Sequence, residues 1–289
     1  LADSGFQDDS RVILKEILQS FAECDEFVIS LDPVRSIVDT VPAVAAHTPS
    51  DGIAFGEAIK RRNDAGVSVK DGRMFGTSMY AFDAEADAYL VADEHQHIYL
   101  VRTDDPGLTR SDLATVDKTR RTVELNYENV AAELVSADPT VFAASIDIGR
   151  MALAADTLGA AQNMLDQAVE YAKQREQFNR PIGSFQAVKH MCAEMAAQLE
   201  PCRSMVWFAG HALAELPDEA RVTACHTKAH LAEVGQFIAK TSTEVHGGMG
   251  FTYECDAQLY IRRAQWVQQQ YGDAQHHRKR LAGLLLDAA

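Results

Sequence analysis

Two apolar stripes at strict three-four spacing leave few folds open to the second half of this 289-residue chain. Met151, Ala154, Leu158, Ala161, Leu165, Ala168 and Ala172 form the first. Phe185, Val188, Cys192, Met195, Leu199 and Cys202 form the second. At this spacing each set lies along one side of a helix, so each predicts a helix that buries that side against others in a bundle. Helical character starts near Val141. Pro201 is expected to kink or split the second helix, because its ring blocks one hydrogen bond and crowds the preceding turn. Pro217, with Asp218 and Glu219 after it, opens a third helix that runs to Val245. Proline suits a first turn, and the acids suit the positive end of the dipole. Gly247-Gly248 stops that helix, and two more fit Asp256–Gln270 and Gln275–Asp287.

Upstream the pattern differs. Residues 46–136 hold short β-type runs separated by Asp, Gly and Pro: "VSVKDGRMFG", "AYLVAD", "HIYLVRTD" and "RTVELNYENV". Asp71-Gly72 between alternating runs predicts a hairpin, and the zone reads as a small antiparallel sheet or barrel. Residues 1–45 carry one amphipathic stretch, Val12–Phe21, with Asp9 or Ser10 as its cap. With 47% hydrophobic residues the chain can bury a sizeable core. A net charge of −15 argues against nucleic acid or an anionic membrane as the main partner. Five scattered cysteines without CxxC spacing fit reduced thiols in a cytoplasmic protein. No apolar run reaches the roughly 18 residues of a membrane-spanning helix.

Two motifs carry chemistry. In "AKQREQFNRPIGSFQAVKH", Arg175 ends a long helix, where a cation suits the negative dipole end with no ligand at all. Gln177, Phe178 and Gln186 crowd the same turn, and a guanidinium with amides and an aromatic edge suits a pyrophosphate joined to a heterocycle. In "EVHGGMGF", Glu244–Phe251, the Gly pair is either a plain helix cap or a stretch of bare backbone N–H groups facing an anion. A helix precedes it, so a Rossmann fingerprint is excluded. His226 and His230 lie four apart without an HExxH pattern or a third ligand, so no metal site is expected. "HHRKR", His276–Arg280, reads as a solvated helix face, the alternative being contact with an acidic partner or a phosphate.

"YAKQREQFNRPIGSFQAVKHMCAEMAAQL" followed by "TEVHGGMGFTYECDAQLYIRRA" resembles the C-terminal half of the acyl-CoA dehydrogenases. The resemblance is strong over residues 140–285, fair over 65–136 and poor before that. It implies an α+β fold with a short N-terminal helical segment (1–45), a small antiparallel β domain (46–136) and a C-terminal four-helix bundle (137–289). It also implies FAD at a subunit interface, held partly by the neighbouring chain. Carried over, Arg175 would bind the flavin pyrophosphate, with Gln177, Phe178 and Gln186 near the adenosine end and Gly247-Gly248 beside the same cofactor. The family often has Gln where this chain has Glu244.

Other parts of the family pattern are missing. Its chemistry needs a carboxylate to take the proton α to the thioester. Aligned without gaps from Gly247, the position after the Gly-Gly helix that carries this Glu holds Tyr271, and the alternative position before Arg150 holds Gly149. Asp147 lies two residues away from that slot. The Thr that follows is Asp273, and the signature opening the β domain is reduced to "HTPSDG", His47–Gly52. This resembles the non-catalytic subunits of heteromeric actinobacterial acyl-CoA dehydrogenases, which form α2β2 tetramers and often act on steroid side-chain CoA thioesters. The expectation is a partner subunit with no catalytic residue of its own, lending FAD contacts to a catalytic chain. The alternatives are a homomeric enzyme using Asp147 or Glu254 as base, and a flavin-free scaffold.

Overall fold

The computed structural model describes residues 66–286, apart from 83 and 85. The Val12–Phe21 stretch and the His47–Gly52 run lie outside the described residues. The chain divides into two compact units, one made of the β zone with the start of the first long helix and one running from Arg150 onward.

In the β unit the elements are β1 (Gly66–Lys70), β2 (Arg73–Phe82), β3 (Ala88–Ala92), β4 (Ile98–Arg102), β5 (Leu108–Leu113), β6 (Thr122–Ala131) and β7 (Glu133–Ser136). The predicted hairpin is present: Asp71 (φ 50°) and Gly72 (φ 71°) both take left-handed backbone between β1 and β2. That twist matches the twist of the flanking strands. The zone forms two antiparallel sheets rather than one, ordered β1-β2-β6-β5 and β3-β4-β7. Alternation explains the layers. Val123, Leu125 and Tyr127 of β6 point inward from one sheet, and Tyr89, Val91 and Val101 from the other, into one apolar cluster. The buried Tyr127 hydroxyl donates to Ser78 Oγ at 3.0 Å, so its polar end is satisfied.

Five helices follow: α1 (Pro139–Gln174), α2 (Gln186–Glu215), α3 (Pro217–His246), α4 (Ala257–Gln269) and α5 (Ala274–Leu286). All seven residues of the first predicted stripe are buried along α1. In the second stripe Met195, Leu199 and Cys202 are buried, while Phe185, Val188 and Cys192 are half-buried. The stripes meet Leu231, Val234 and Ile238 of α3 in one core. Both α4 and α5 pack on α3, and at 13 residues each they together span about one long helix. The bundle thus has four long positions, as the family resemblance implied.

Pro201 does not split α2, which runs unbroken from Gln186 to Glu215. The carbonyl that loses its partner belongs to Ala197, and both Ala197 and Pro201 face outward, so solvent can take the hydrogen bond. The α1–α3 crossing is close: a Cβ on Gly235 would sit 2.4 Å from Thr157 Cγ2. Ser242 Oγ donates across it to the Met164 carbonyl at 3.1 Å. Among the described residues, Cys192, Cys202, Cys225 and Cys255 form no disulfide. Among the described residues no helix is long and apolar enough to cross a membrane.

Candidate functional site

The first motif forms a small hairpin between α1 and α2. The Arg175 N–H donates to the Tyr171 carbonyl at 2.8 Å, closing the last turn of α1, and the Arg175 carbonyl accepts from Ile182 N–H at 2.7 Å. Between them two-residue strands, β8 (Glu176–Gln177) and β9 (Arg180–Pro181), pair antiparallel. The turn is strained, because Phe178 (φ 55°) and Asn179 (φ 60°) both adopt a left-handed backbone that side chains other than Gly resist. At this turn Phe178 is 85% exposed. Its ring meets Phe185 edge-on with centroids 6.0 Å apart, and the Arg180 guanidinium covers the Phe185 ring at 4.0 Å. Gln186 opens α2, and its Nε2 lies 2.9 Å from His190 Nε2. Arg175, Gln177, Phe178 and Gln186 are therefore all exposed on one hairpin. The Arg175 guanidinium has no hydrogen-bond or ionic partner among the described residues.

The second motif ends α3. Gly247 (φ 59°) turns the chain out of the helix, and its N–H donates to the Glu244 carbonyl. A Cβ on Gly247 or Gly248 would meet nothing within 4 Å, so this backbone is bare and open. Gly250 is a glycine for another reason: a Cβ there would lie 2.7 Å from the Thr243 carbonyl oxygen. Replacing Gly250 with Ala is expected to cost about 1–3 kcal/mol by forcing the 3-10 turn Gly247–Phe251 off α3. The same change at Gly248 should leave the urea midpoint nearly unmoved. Equal losses for the two variants would contradict this packing.

A ring contact missed in the sequence joins the two motifs. His246 is buried, and its ring lies 4.6 Å from that of Tyr171, tilted by 32°. Its Nδ1 sits 2.7 Å from the Ser242 carbonyl, an i−4 contact that fixes the ring against its own helix. Tyr171 caps Arg175 through its carbonyl, and His246 directly precedes Gly247. The free guanidinium and the bare Gly pair thus lie at one end of the bundle. A cation at the same end of the bundle as backbone that no Cβ shields is a fit for a diphosphate. Nothing in the motif EVHGG marks its His as a packing residue rather than a ligand, which is why the sequence did not reveal the link.

The positions expected to lack a base are buried. Tyr271 (φ 57°) is buried, and its hydroxyl has no hydrogen-bond partner. Burial pushes its pKa well above the usual phenol value, and the nearby Arg150 charge only partly opposes this. Gly149 is buried within α1, and Asp147 is buried on the same helix. Asp273 Oδ1 accepts from His276 N–H at 2.7 Å and caps α5. Glu254 is exposed. Beside Tyr271 the sequence reading missed Lys228, wholly buried on α3. Its Nζ donates to the carbonyls of Val267 (2.9 Å) and Gly272 (3.5 Å), tying α3 to the α4–α5 turn. Burial first, and the Arg150 charge second, lower its pKa to about 7.

The sequence profile of the acyl-CoA dehydrogenase C-terminal domain matches residues 140–286, and the chain belongs to this family. Over 152 residues it is 37% identical to the acyl-CoA dehydrogenase IpdE2 of Mycobacterium tuberculosis, covering 53% of this chain and 44% of that protein. The matched part thus spans less than half the length of that relative. Among solved structures, the ChsE4-ChsE5 complex from Mycobacterium tuberculosis superposes with a TM-score of 0.71 at 25% identity, over 87% of this chain and 75% of that one. A variant of the Tcur3481-Tcur3483 steroid acyl-CoA dehydrogenase gives 0.70 at 26% identity, over 78% and 63%.

Proposed function

We propose that this chain is the partner subunit of a FAD-dependent acyl-CoA dehydrogenase and lends diphosphate contacts to flavin carried by a second, catalytic chain. The observation that carries the reading is an imbalance. An Arg175 guanidinium with no partner among the described residues and Gly247-Gly248 backbone that no Cβ shields share one end of the bundle, while the base position holds a buried phenol. Arg175 would neutralise and orient the diphosphate. Gly247 and Gly248 admit it closely because no Cβ stands in the way, and Gln177, Phe178 and Gln186 would meet the adenosine end. When bound, FAD supplies the acceptor for the β-hydride of an acyl-CoA thioester, giving a trans-2-enoyl-CoA.

No group at the Tyr271 or Gly149 position can take the α-proton at neutral pH. The phenol holds its proton more tightly than free tyrosine does, and glycine has no side chain. Of the two alternatives, Glu254 is exposed to solvent, and Asp147 is buried on α1 and already engaged in a polar or ionic interaction. These observations support assigning the α-proton to a carboxylate on the other chain. The similarity to a steroid acyl-CoA dehydrogenase and to a two-protein complex supports a heteromeric assembly, and we extend it to a heterotetramer acting on a steroid side-chain thioester.

The test is to purify the chain alone and after co-expression with a candidate catalytic partner, recording the flavin spectrum of each. Little flavin on the lone chain and stoichiometric flavin in a one-to-one complex are expected. Stoichiometric flavin and turnover from the lone chain would overturn the reading.

A further inference from the structure

His277 has an environment that the flavin reading does not use. It lies in the first turn of α5 with no exposed surface, and neither ring nitrogen has a hydrogen-bond partner among the described residues. A buried imidazole normally satisfies at least one nitrogen. The groups around it are of one sign. Arg150 on α1, Lys228 on α3, and His276 and Arg280 on α5 itself all act on the ring as positive charges. The neighbouring carboxylate, Asp273, is engaged in capping α5 and faces Lys228. The Tyr271 phenol stays neutral. The site thus tolerates a neutral ring at the cost of two unmade hydrogen bonds, and it opposes a charged ring from every packed element.

We propose that His277 is an acid-sensitive latch: α5 stays docked on α3 while the imidazole is neutral and is released when the ring gains a proton. Release gives the ring water on both nitrogens and takes its charge away from Arg150 and Lys228. The direction in pH follows from the two states. Burial, aided by the surrounding cations, lowers the docked ring's pKa from 6.5 to about 2. Between those values the released state binds a proton that the docked state refuses. Docking is therefore strongest above pH 6.5 and is lost progressively as pH falls below it. Lys228 acts mainly in a separate window. Its pKa is lowered from 10.5 to about 7, so most of its own effect falls between those values; it is about half charged at pH 7 and charged beside the ring by pH 5.

The test is hydrogen exchange of the full chain at pH 7 and pH 5, corrected for the pH dependence of intrinsic exchange, and read peptide by peptide. The opening equilibrium of residues 274–286 should rise roughly twentyfold to thirtyfold at pH 5, the proton-binding ratio expected of a released histidine. Peptides from the middle of α1 should change far less. His277→Leu and His277→Gln should remove the α5 effect, while His211→Gln, at an exposed histidine on α2, should keep it. A uniform loosening of all helices, an unchanged α5, or an equal response in the His277 variants would each overturn the latch. Should a His277 variant not fold, the wild-type contrast between α5 and α1 decides alone. The readout needs no flavin, so it stands or falls apart from the cofactor reading.

Discussion

Replacing Arg175 with Ala is expected to weaken flavin binding by the proposed complex by one to two orders of magnitude. One charge-assisted contact to a phosphate is worth about 1.5–3 kcal/mol, which converts to roughly tenfold to 150-fold in Kd. The chain itself should lose almost nothing. Arg175 is exposed, its guanidinium holds no described partner, and the hydrogen bonds that shape the hairpin use its backbone. Surface changes of this kind usually stay within about 0.5 kcal/mol. The measurement is flavin absorbance per protein after dilution, beside a urea midpoint on the same sample. Lys at this position should recover only part of the affinity, since a point charge does not reproduce a planar bidentate donor. Full flavin occupancy in the Arg175→Ala complex would remove Arg175 from the cofactor site.

The largest stability loss is expected at Leu231→Ala. Leu231 has no exposed surface and sits on α3 in the core it shares with the α1 and α2 stripes. Removing three buried carbons costs their transfer energy plus that of the cavity left behind, together about 2–5 kcal/mol. Long helices on either side hold the cavity open, so little of that is regained by collapse. Urea unfolding should show a lower midpoint with an unchanged slope. A loss under about 1 kcal/mol would mean that α3 is not the centre of the bundle.

The helices were the most legible part of the chain. Periodicity and helix-end signals located five of them, and the predicted stripe of α1 is buried at every position. The β hairpin at Asp71-Gly72 was equally clear, because its turn demands two left-handed residues. Other features depended on neighbours that no local pattern reveals. Pro201 reads as a helix breaker, yet its orphaned carbonyl faces outward and α2 continues. "HHRKR" reads as a solvated face, yet His277 within it is fully buried. Lys228 looks like a surface lysine in a helix and instead spans the interior to two carbonyls.

The candidate site divides in the same way. Its residue types were readable one by one, since Arg175, Phe178 and the Gly pair each have a local chemical meaning. Their meeting was not, because it rests on the rings of Tyr171 and His246 touching between distant parts of the chain, a contact set by how α1 and α3 cross. Amino-acid order by itself determined which segments coil and which pleat, for those preferences come from spacing, turn stereochemistry and helix-end electrostatics within a few residues. Only the tertiary structure decided which charges are buried, which polar atoms lack partners and which distant motifs share a corner. Desolvation and packing act between residues that are close in space, and sequence separation carries no record of them.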